Sequence, residues 1–329
     1  MLLIISSIFT ALLAIIFLDC ALRSDPPFLY DRLLMGLEDL LRFILRERGF
    51  ALLTDSLEYM FFKRNPIIQM LYLSIVCGGY YIFLTHAFPI ISHSHRLLSS
   101  LFVSVALCSF ALVCLTDPDT CKDCVIESED SSSKRYDGIM YQPGAECKTC
   151  KVPKLARSKH CKLCNVCVVR MDHHCVWLNV CIGRGNHHYF ITFLFLHVIL
   201  CTYGMYVLGD LFLEIIEKNQ LFQATFVDGE GNKFSSSYYM IFRFFMAKYY
   251  WLGALLILVT LLDILLVGFF SFHLYLVSKN QTFNESDKLD TLFKKAGETN
   301  PDDLTLEKIM ESSRFYDRGL WNNIWELFE

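Results

Sequence analysis

Long apolar runs alternate with charged segments along the 329-residue chain. A helix needs about 20 apolar residues to span a bilayer, and buried helices of soluble proteins rarely stay uncharged for that length. Five runs qualify: residues 1–18, 66–88, 97–116, 189–209 and 249–277. The pattern therefore predicts a polytopic α-helical membrane protein with about five transmembrane helices.

Lysine and arginine are unevenly distributed between these runs. Residues 22–65, 117–188 and the tail after 277 are rich in them, whereas the loops 89–96 and 210–248 are poor. Because basic residues stay on the cytosolic side, five spans with a lumenal N-terminus place every basic segment in the cytosol. The alternative is that the first run is a cleaved signal peptide, but it has no basic region before it and is longer than usual.

This pattern divides the chain into four parts. Residues 1–116 hold the first three spans, 117–188 a small cytosolic cysteine-rich domain, 189–277 the last two spans with a lumenal loop, and 278–329 a cytosolic tail. Within residues 22–65, apolar and charged positions alternate at helical spacing. We expect an amphipathic helix on the cytosolic membrane surface or, alternatively, a helix packed on the cysteine-rich domain. We detect no internal repeat.

The cysteines are concentrated in one segment. The chain has 14, of which seven lie between Cys147 and Cys181, in Cys-x-x-Cys pairs interleaved with histidine. This spacing indicates metal ligands more than disulfides, and thiolates persist in a reducing compartment. The net charge of −4 gives no basic footprint for nucleic acid.

The ligand count leaves residues over. Structural zinc takes four ligands, commonly three cysteines and one histidine. Two such sites use six cysteines and two histidines, whereas the segment 147–181 supplies seven cysteines and three histidines. One cysteine and one histidine remain, with Asp172 beside them, which are the parts of an activated thiol nucleophile. The count alone does not say which cysteine and histidine these are.

The cysteine-rich segment, which includes "MDHHCVWLNVC" at 171–181, resembles the DHHC protein S-acyltransferases (palmitoyltransferases) along its whole length. Residues 117–119, Asp-Pro-Asp, resemble the family's Asp-Pro-Gly. Residues 282–285, Thr-Phe-Asn-Glu, resemble its Thr-Thr-x-Glu. The tail segment "YDRGLWNN" resembles its C-terminal aromatic motif, which contains Asn323.

The resemblance assigns the ligands and the catalytic residues. It implies one structural Zn²⁺ on Cys147, Cys150, His160 and Cys167, and a second on Cys161, Cys164, His174 and Cys181. The remaining trio is Asp172, His173 and Cys175.

The implied reaction is a two-step transfer of a fatty acyl group from acyl-CoA, the co-substrate, to protein cysteines. Cys175 is the nucleophile, His173 the base, and Asp172 orients the histidine. Five side chains are possible acyl-CoA contacts: Trp177, Lys154, Arg157, Arg184 and Asn323. The alternatives are packing on the zinc domain for Trp177 and ordinary solvated charges for the basic residues.

The first span and Val176 resemble the five-span, endoplasmic-reticulum branch of the family, which in fungi is similar to the SNARE acyltransferases. This implies residence in the endoplasmic reticulum, with the Golgi as second choice. The expected partners are the lipid bilayer, acyl-CoA and membrane proteins with cytosolic cysteines.

Several polar residues lie outside these motifs. We expect Asp263 to make a structural hydrogen bond between spans, and His197 and His273 to be satisfied side chains. Cys121 and Cys124 are expected to be unpaired cytosolic thiols or, second, sites of self-acylation.

Two other classes of protein compete with the acyltransferase. A membrane-anchored zinc adaptor of the ubiquitin-ligase kind would end in a further Cys-x-x-Cys pair, which is missing here. A transporter would carry more charged residues within its spans.

Overall fold

The computed structural model of the protein describes residues 28–121, 135–227, 229–299 and 303–328. The first predicted span, 1–18, lies outside the described residues, and so does Cys124. The chain divides into two units, Met1–Lys63 and Arg64–Glu329.

In the first unit, α1 (Phe28–Phe62) carries the helix that the sequence predicts. It is two helical segments, because Arg46 has non-helical backbone angles (φ 58°, ψ 167°). Across this kink the guanidinium of Arg42 pairs with Glu47 at 3.2 Å and lies over the ring of Phe50. Its location on a membrane surface stays a prediction.

In the second unit, four helices are long and apolar enough to cross a membrane. They are α2 (Ile67–His86), α3 (His93–Leu115), α4 (His187–Lys218) and α6 (Tyr250–Ser278). These confirm four of the five predicted apolar helices. Helix α4 is 32 residues long and continues well past the predicted end at 209.

The membrane helices pack around α4, which lies against α3 and α6, while α2 packs on α6. One core cluster joins this bundle to the cysteine-rich segment, since Phe190 and Leu194 of α4 pack with Cys175, Leu178 and Ile182. Each fully buried side chain of this size contributes roughly 1.5–3 kcal/mol. The reactive segment is therefore held against the bundle by apolar packing.

Polar groups inside the bundle are mostly paired. The hydroxyl of Thr202 donates to Asp263 Oδ1 at 2.9 Å, which confirms the hydrogen bond expected between spans. His197 is satisfied as expected, because its Nδ1 donates to the Phe193 carbonyl and its Nε2 accepts from the Tyr72 hydroxyl, both at 2.7 Å. The expectation for His273 is wrong, since both of its ring nitrogens are buried without a partner in the described structure.

Short strands and helices complete this unit. Antiparallel pairs form between β1 (Lys159–Cys161) and β2 (Val166–Val168), β3 (His173–Cys175) and β4 (Val180–Ile182), and β5 (Thr225–Val227) and β6 (Lys233–Ser235). Helix α5 (Tyr238–Lys248) precedes α6, and α7 (Phe283–Thr299), α8 (Asp303–Arg314) and α9 (Leu320–Trp325) form the tail.

The first two hairpins are copies of one pattern. "HCKLCNVC" at 160–167 and "HCVWLNVC" at 174–181 each place a histidine opposite a cysteine: His160 faces Cys167, and His174 faces Cys181. Each turn contains an asparagine with positive φ, 54° at Asn165 and 56° in the second copy. The prediction of no internal repeat is therefore wrong. The repeat is only eight residues long, and Leu178 replaces the cysteine at its fifth position.

The segment that leads from α3 into these hairpins is closely packed. A Cβ at Gly183 would clash with Val168 and the Pro118 carbonyl, and one at Gly185 would clash with the Asp117 carbonyl. Both positions therefore require glycine, which lets the Asp-Pro-Asp segment lie directly on the chain after β4.

Two details of this region differ from the family pattern or from expectation. Asp119 has a φ of 70°, the region that glycine adopts most easily, and the resembling motif has glycine there. Cys121 is disulfide-bonded, so the expectation that it is an unpaired thiol is wrong.

Candidate active site and metal centres

The alternation of side chains along β3 separates two kinds of chemistry. Successive residues of a strand point to opposite faces, so His174 points away from His173 and Cys175. Directly across the hairpin, His174 is paired with Cys181. One face of the hairpin thus carries metal-type ligands, and the other carries His173 and Cys175, while Asp172 directly precedes β3.

The structure brings together the first predicted ligand set, which is Cys147, Cys150, His160 and Cys167. His160 Nδ1 lies 3.2 Å from Cys150 Sγ and 3.9 Å from Cys167 Sγ. The second set is also assembled, and it comprises Cys161, Cys164, His174 and Cys181. His174 Nδ1 lies 3.7, 3.4 and 3.6 Å from the three sulfurs in that order.

These distances fit a tetrahedral zinc ion. Zinc bonds of about 2.3 Å to sulfur and about 2.0 Å to nitrogen place tetrahedral ligands roughly 3.5 Å apart for N and S and roughly 3.8 Å apart for two sulfurs. Cys164 Sγ and Cys181 Sγ are 3.6 Å apart, in line with this. Both clusters can therefore hold a metal ion with the geometry of structural zinc.

The predicted trio is also assembled. His173 Nδ1 donates to Asp172 Oδ2 at 2.7 Å, and the side chains of His173 and Cys175 share one face of β3. Cys175 is 8% exposed and lies in the core cluster at the end of the bundle. The histidine thus stands between the carboxylate and the sulfur, in the order that a base-activated thiol requires.

The pKa values match this arrangement. Burial alone would raise the pKa of Asp172, but the hydrogen bond from His173 and the neighbouring histidines hold it well below its usual range. Burial lowers the pKa of His173, but the hydrogen bond to Asp172 and the negative charges of Asp172 and Cys175 outweigh it and raise the pKa to about 10. The histidine is thereby suited to hold a proton taken from the thiol.

The start of α7 supports the carboxylate from the other side. The backbone N–H of Phe283 donates to Asp172 Oδ1 at 2.7 Å, and that of Asn284 donates to the Asp172 carbonyl at 3.2 Å. Both carboxylate oxygens of Asp172 are therefore occupied by hydrogen bonds. The motif that carries these donors, Thr-Phe-Asn-Glu at 282–285, begins shortly after the last span ends at Ser278.

Arg157 differs from both sequence-based expectations. The residue is 5% exposed, and its guanidinium donates to Glu285 at 2.7 and 2.8 Å and to Asn280. It also lies 4.4 Å from the centre of the Tyr316 ring. With all these contacts made inside the protein, Arg157 is neither a solvated charge nor free for a CoA phosphate.

Asn323 is likewise structural in this arrangement. It is fully buried, its amide donates to the Ser278 carbonyl and to Asp317, and its carbonyl accepts from the Arg318 backbone. These contacts fasten α9 to the end of α6, so Asn323 offers nothing to acyl-CoA.

The other three residues expected to contact acyl-CoA differ in their surroundings. Arg184 pairs with Asp119 at 2.6 Å, with about a third of each side chain exposed. Lys154 is exposed. Trp177 is partly buried against the core cluster that contains Cys175. Contact of these three residues with acyl-CoA stays a prediction.

Sequence reasoning missed the histidines that surround Asp172. His187 and His273 are buried, their ring nitrogens have no hydrogen-bond partner in the described structure, and both act electrostatically on Asp172. A histidine inside an otherwise apolar run was the available signal for His273. For His187 no signal in the sequence points to the carboxylate.

Comparison with known proteins agrees with the geometry. The family model described as DHHC palmitoyltransferase matches residues 141–290. Palmitoyltransferase ZDHHC4 of Rattus norvegicus is 30% identical over 282 residues, which are 83% of this chain and 80% of that protein.

Two further relatives match more briefly. ZDHHC4 of Mus musculus is 33% identical over 200 residues, 60% of this chain and 57% of that protein. Palmitoyltransferase swf1 of Aspergillus fumigatus is 32% identical over 231 residues, 69% of this chain and 59% of that protein. With its two metal-type clusters and its Asp-His-His-Cys hairpin, the chain belongs to the DHHC palmitoyltransferase family.

Proposed function

We propose that this integral membrane protein is a protein S-palmitoyltransferase that works through an acyl-enzyme on Cys175. The observation that carries the proposal is that His173, hydrogen-bonded to Asp172, shares one face of β3 with Cys175 at the end of a membrane helix bundle. The family relationship supports acyl transfer as the reaction. The sulfur lies where an acyl chain could enter the apolar bundle.

In the first step, His173 takes the proton of the Cys175 thiol, and the thiolate attacks the thioester carbonyl of a fatty acyl-CoA. A new bond forms between the Cys175 sulfur and the acyl carbon, and the bond from that carbon to the CoA sulfur breaks. The imidazolium returns its proton to the departing CoA thiolate. Asp172 holds the histidine tautomer and stabilises the imidazolium.

In the second step, a cysteine thiol of the substrate protein gives its proton to His173 and attacks the acyl-enzyme. The acyl group moves to the substrate sulfur, and Cys175 leaves as a thiolate that regains a proton from the imidazolium. Because CoA leaves before the substrate thiol attacks the covalent acyl-enzyme, the reaction follows two-step ping-pong kinetics.

The side chains packed around Cys175 are apolar, which suits an acyl chain. The sulfur lies among Phe190 and Leu194 of α4 and Phe110 of α3. Burying a chain among such helices gains about 0.8 kcal/mol per methylene. The acyl group is thus drawn into the bundle, while the CoA part stays outside it, where Lys154 and Arg184 are the basic residues proposed to meet its phosphates and Trp177 packs on the thioester.

The supporting assignments follow from the same picture. Residues 117–188 form a cytosolic domain in which two structural Zn²⁺ ions, bound by the two clusters, contribute folding free energy to the hairpins. The spans, five with 1–18 included, lie in the endoplasmic reticulum, with the Golgi as second choice. Substrates are membrane proteins with a cytosolic cysteine close to the bilayer, SNAREs among them.

Labelled palmitoyl-CoA tests the reaction. The purified wild-type protein in detergent or lipid should form a covalent adduct on Cys175 that hydroxylamine releases near neutral pH, because the bond is a thioester. Cys175→Ser should form no adduct and transfer nothing, since a serine hydroxyl is far less ionised than a thiol.

The base is tested separately. His173→Ala keeps the sulfur and should slow transfer by roughly a hundredfold to ten-thousandfold, the usual contribution of a general base. Asp172→Ala should also impair turnover by loosening the histidine. A folded Cys175→Ser protein that still acylates substrates at the wild-type rate would refute the mechanism and favour the zinc-adaptor function.

A further inference from the structure

His273 is a buried polar residue without a hydrogen bond. It lies in the last two turns of α6 and is 1% exposed, and neither ring nitrogen has a partner in the described structure. Buried polar groups are nearly always hydrogen-bonded, and leaving one unpaired lowers stability. A reason for a histidine at this position must therefore come from something other than packing.

The surroundings of the ring would suit an apolar side chain. Edge-to-face contacts place the ring 4.6 Å from Phe269, 5.8 Å from Phe272 and 5.1 Å from Phe190, centre to centre. A phenylalanine at 273 would make the same contacts without two unpaired nitrogens. On packing alone, His273 is thus the worse choice.

His273 faces the carboxylate of the catalytic trio. Its Nδ1 lies 3.9 Å from Asp172 Oδ2, the oxygen that also accepts the hydrogen bond from His173. The rings of His173 and His273 are 5.7 Å apart, and the edge of Phe190 contacts both. A separation of 3.9 Å is too long for a hydrogen bond, but catalytic hydrogen bonds often tighten only when substrate is bound.

We propose that His273 is a positioning residue for acyl transfer: its Nδ1–H closes on Asp172 Oδ2 during the reaction and fixes the carboxylate beneath His173. This rests on the proposed function, because it acts through the base of that reaction. Phe283 already donates to Oδ1, so His273 completes a frame in which helix α6 and the start of α7 hold both oxygens. The last span thereby sets the orientation of the base.

Three substitutions test the proposal. His273→Phe removes both nitrogens and keeps the ring. His273→Asn places an amide N–H near the position of Nδ1, and His273→Gln places it near that of Nε2. The measurements are the rate and the KM of Cys175 acylation with palmitoyl-CoA, together with the melting temperature and the zinc content of each variant.

His273→Phe should melt no lower than the wild type and keep its metal. Its maximal acylation rate should fall roughly tenfold to a hundredfold, as expected when a supporting partner of a reactive group is lost, with the KM for palmitoyl-CoA unchanged. His273→Asn should recover most of the rate, and His273→Gln should recover less. If His273→Phe misfolds, the proposal is still tested by whether His273→Asn acylates Cys175 faster than His273→Gln.

Three outcomes would overturn the proposal. The first is a wild-type rate in His273→Phe, which would make the histidine dispensable. Equal rates in the Asn and Gln variants would remove the dependence on Nδ1. Loss of a metal ion from His273→Phe would instead make Asp172, His173 and His273, whose ligand atoms lie within 4.8 Å of one another, a third metal site. Failure of the proposed function is distinct, because the wild-type protein itself would then form no acyl-enzyme.

Discussion

The guanidinium of Arg157 and the carboxylate of Glu285 form a buried ion pair, with Nε 2.7 Å from Oε1 and only 6% and 1% of the two side chains exposed. Arg157 lies just before β1, at the start of the first hairpin. Glu285 lies in the first turn of α7. The pair therefore joins the cysteine-rich segment to the chain that follows the last span.

Glu285→Ala should destabilise the protein by roughly 3–5 kcal/mol, because it removes the two-point partner of a buried guanidinium and leaves it only Glu326, at 3.6 Å. The measurement is the free energy of unfolding or, where unfolding is irreversible, the melting temperature. Asp119→Asn is the matched control, since the Asp119–Arg184 pair is about one-third exposed, and its loss should cost at most about 1 kcal/mol. Equal losses of unfolding free energy in the two variants would contradict the view that burial makes the Arg157–Glu285 pair the stronger one.

Metal content is the second prediction. The purified protein should hold two zinc ions per chain, because the two clusters supply eight ligands. Cys147→Ala and His174→Ala should each lower the zinc content and destabilise the hairpins. Cys175→Ser should keep both ions, since its side chain lies on the other face of β3. Loss of zinc from Cys175→Ser would make the ligand assignment wrong.

The backbone donor to Asp172 gives a third prediction. Phe283→Pro removes the N–H that donates to Asp172 Oδ1, and proline is well tolerated at the first position of a helix such as α7. Acylation of Cys175 should therefore slow by roughly tenfold or more, while the zinc content stays at two.

The control for this prediction is Phe283→Thr, which keeps the backbone N–H and places in this chain the residue of the resembling motif. It should acylate Cys175 at close to the wild-type rate. If the proline and threonine variants are slowed equally, the ring of Phe283 and not its backbone N–H is what the site requires.

Topology is the fourth prediction, and it follows from the distribution of basic residues. Glycosylation acceptor tags should be modified in the loop around β5 and β6 and at the extreme N-terminus. Tags at 125–140 or after Ser278 should stay unmodified, because both segments are proposed to be cytosolic. A glycosylated tag at 125–140 would contradict the five-span arrangement.

Much of the fold could be predicted from the sequence because its signals are local. An uncharged apolar run of sufficient length identifies a membrane helix by itself, and four such runs are helices here. The two ligand sets and the trio came from the spacing of the Asp-His-His-Cys segment through its family resemblance. Metal ligands and catalytic residues of this kind can be recognised from their types and their spacing along the chain.

The contacts between distant segments could not be predicted. Arg157 was expected at the surface because nothing nearby in sequence pairs with it, and its partner Glu285 lies 128 residues away. Asn323 and His273 were misjudged for the same reason. Their surroundings are created only when the tail folds back onto the hairpins and α6.

The hairpin repeat has a consequence for how the site around Cys175 is assembled. In β3 the metal ligand His174 stands between the base and the nucleophile, so a slip of one residue would exchange the two faces of the strand. Zinc bound by His174 and Cys181, which face each other across this hairpin, would lock its register. In a chain without zinc, the packing of Leu178 and Ile182 on the bundle would be left to hold the strands. We therefore expect acylation of Cys175 to depend on zinc as well as on acyl-CoA.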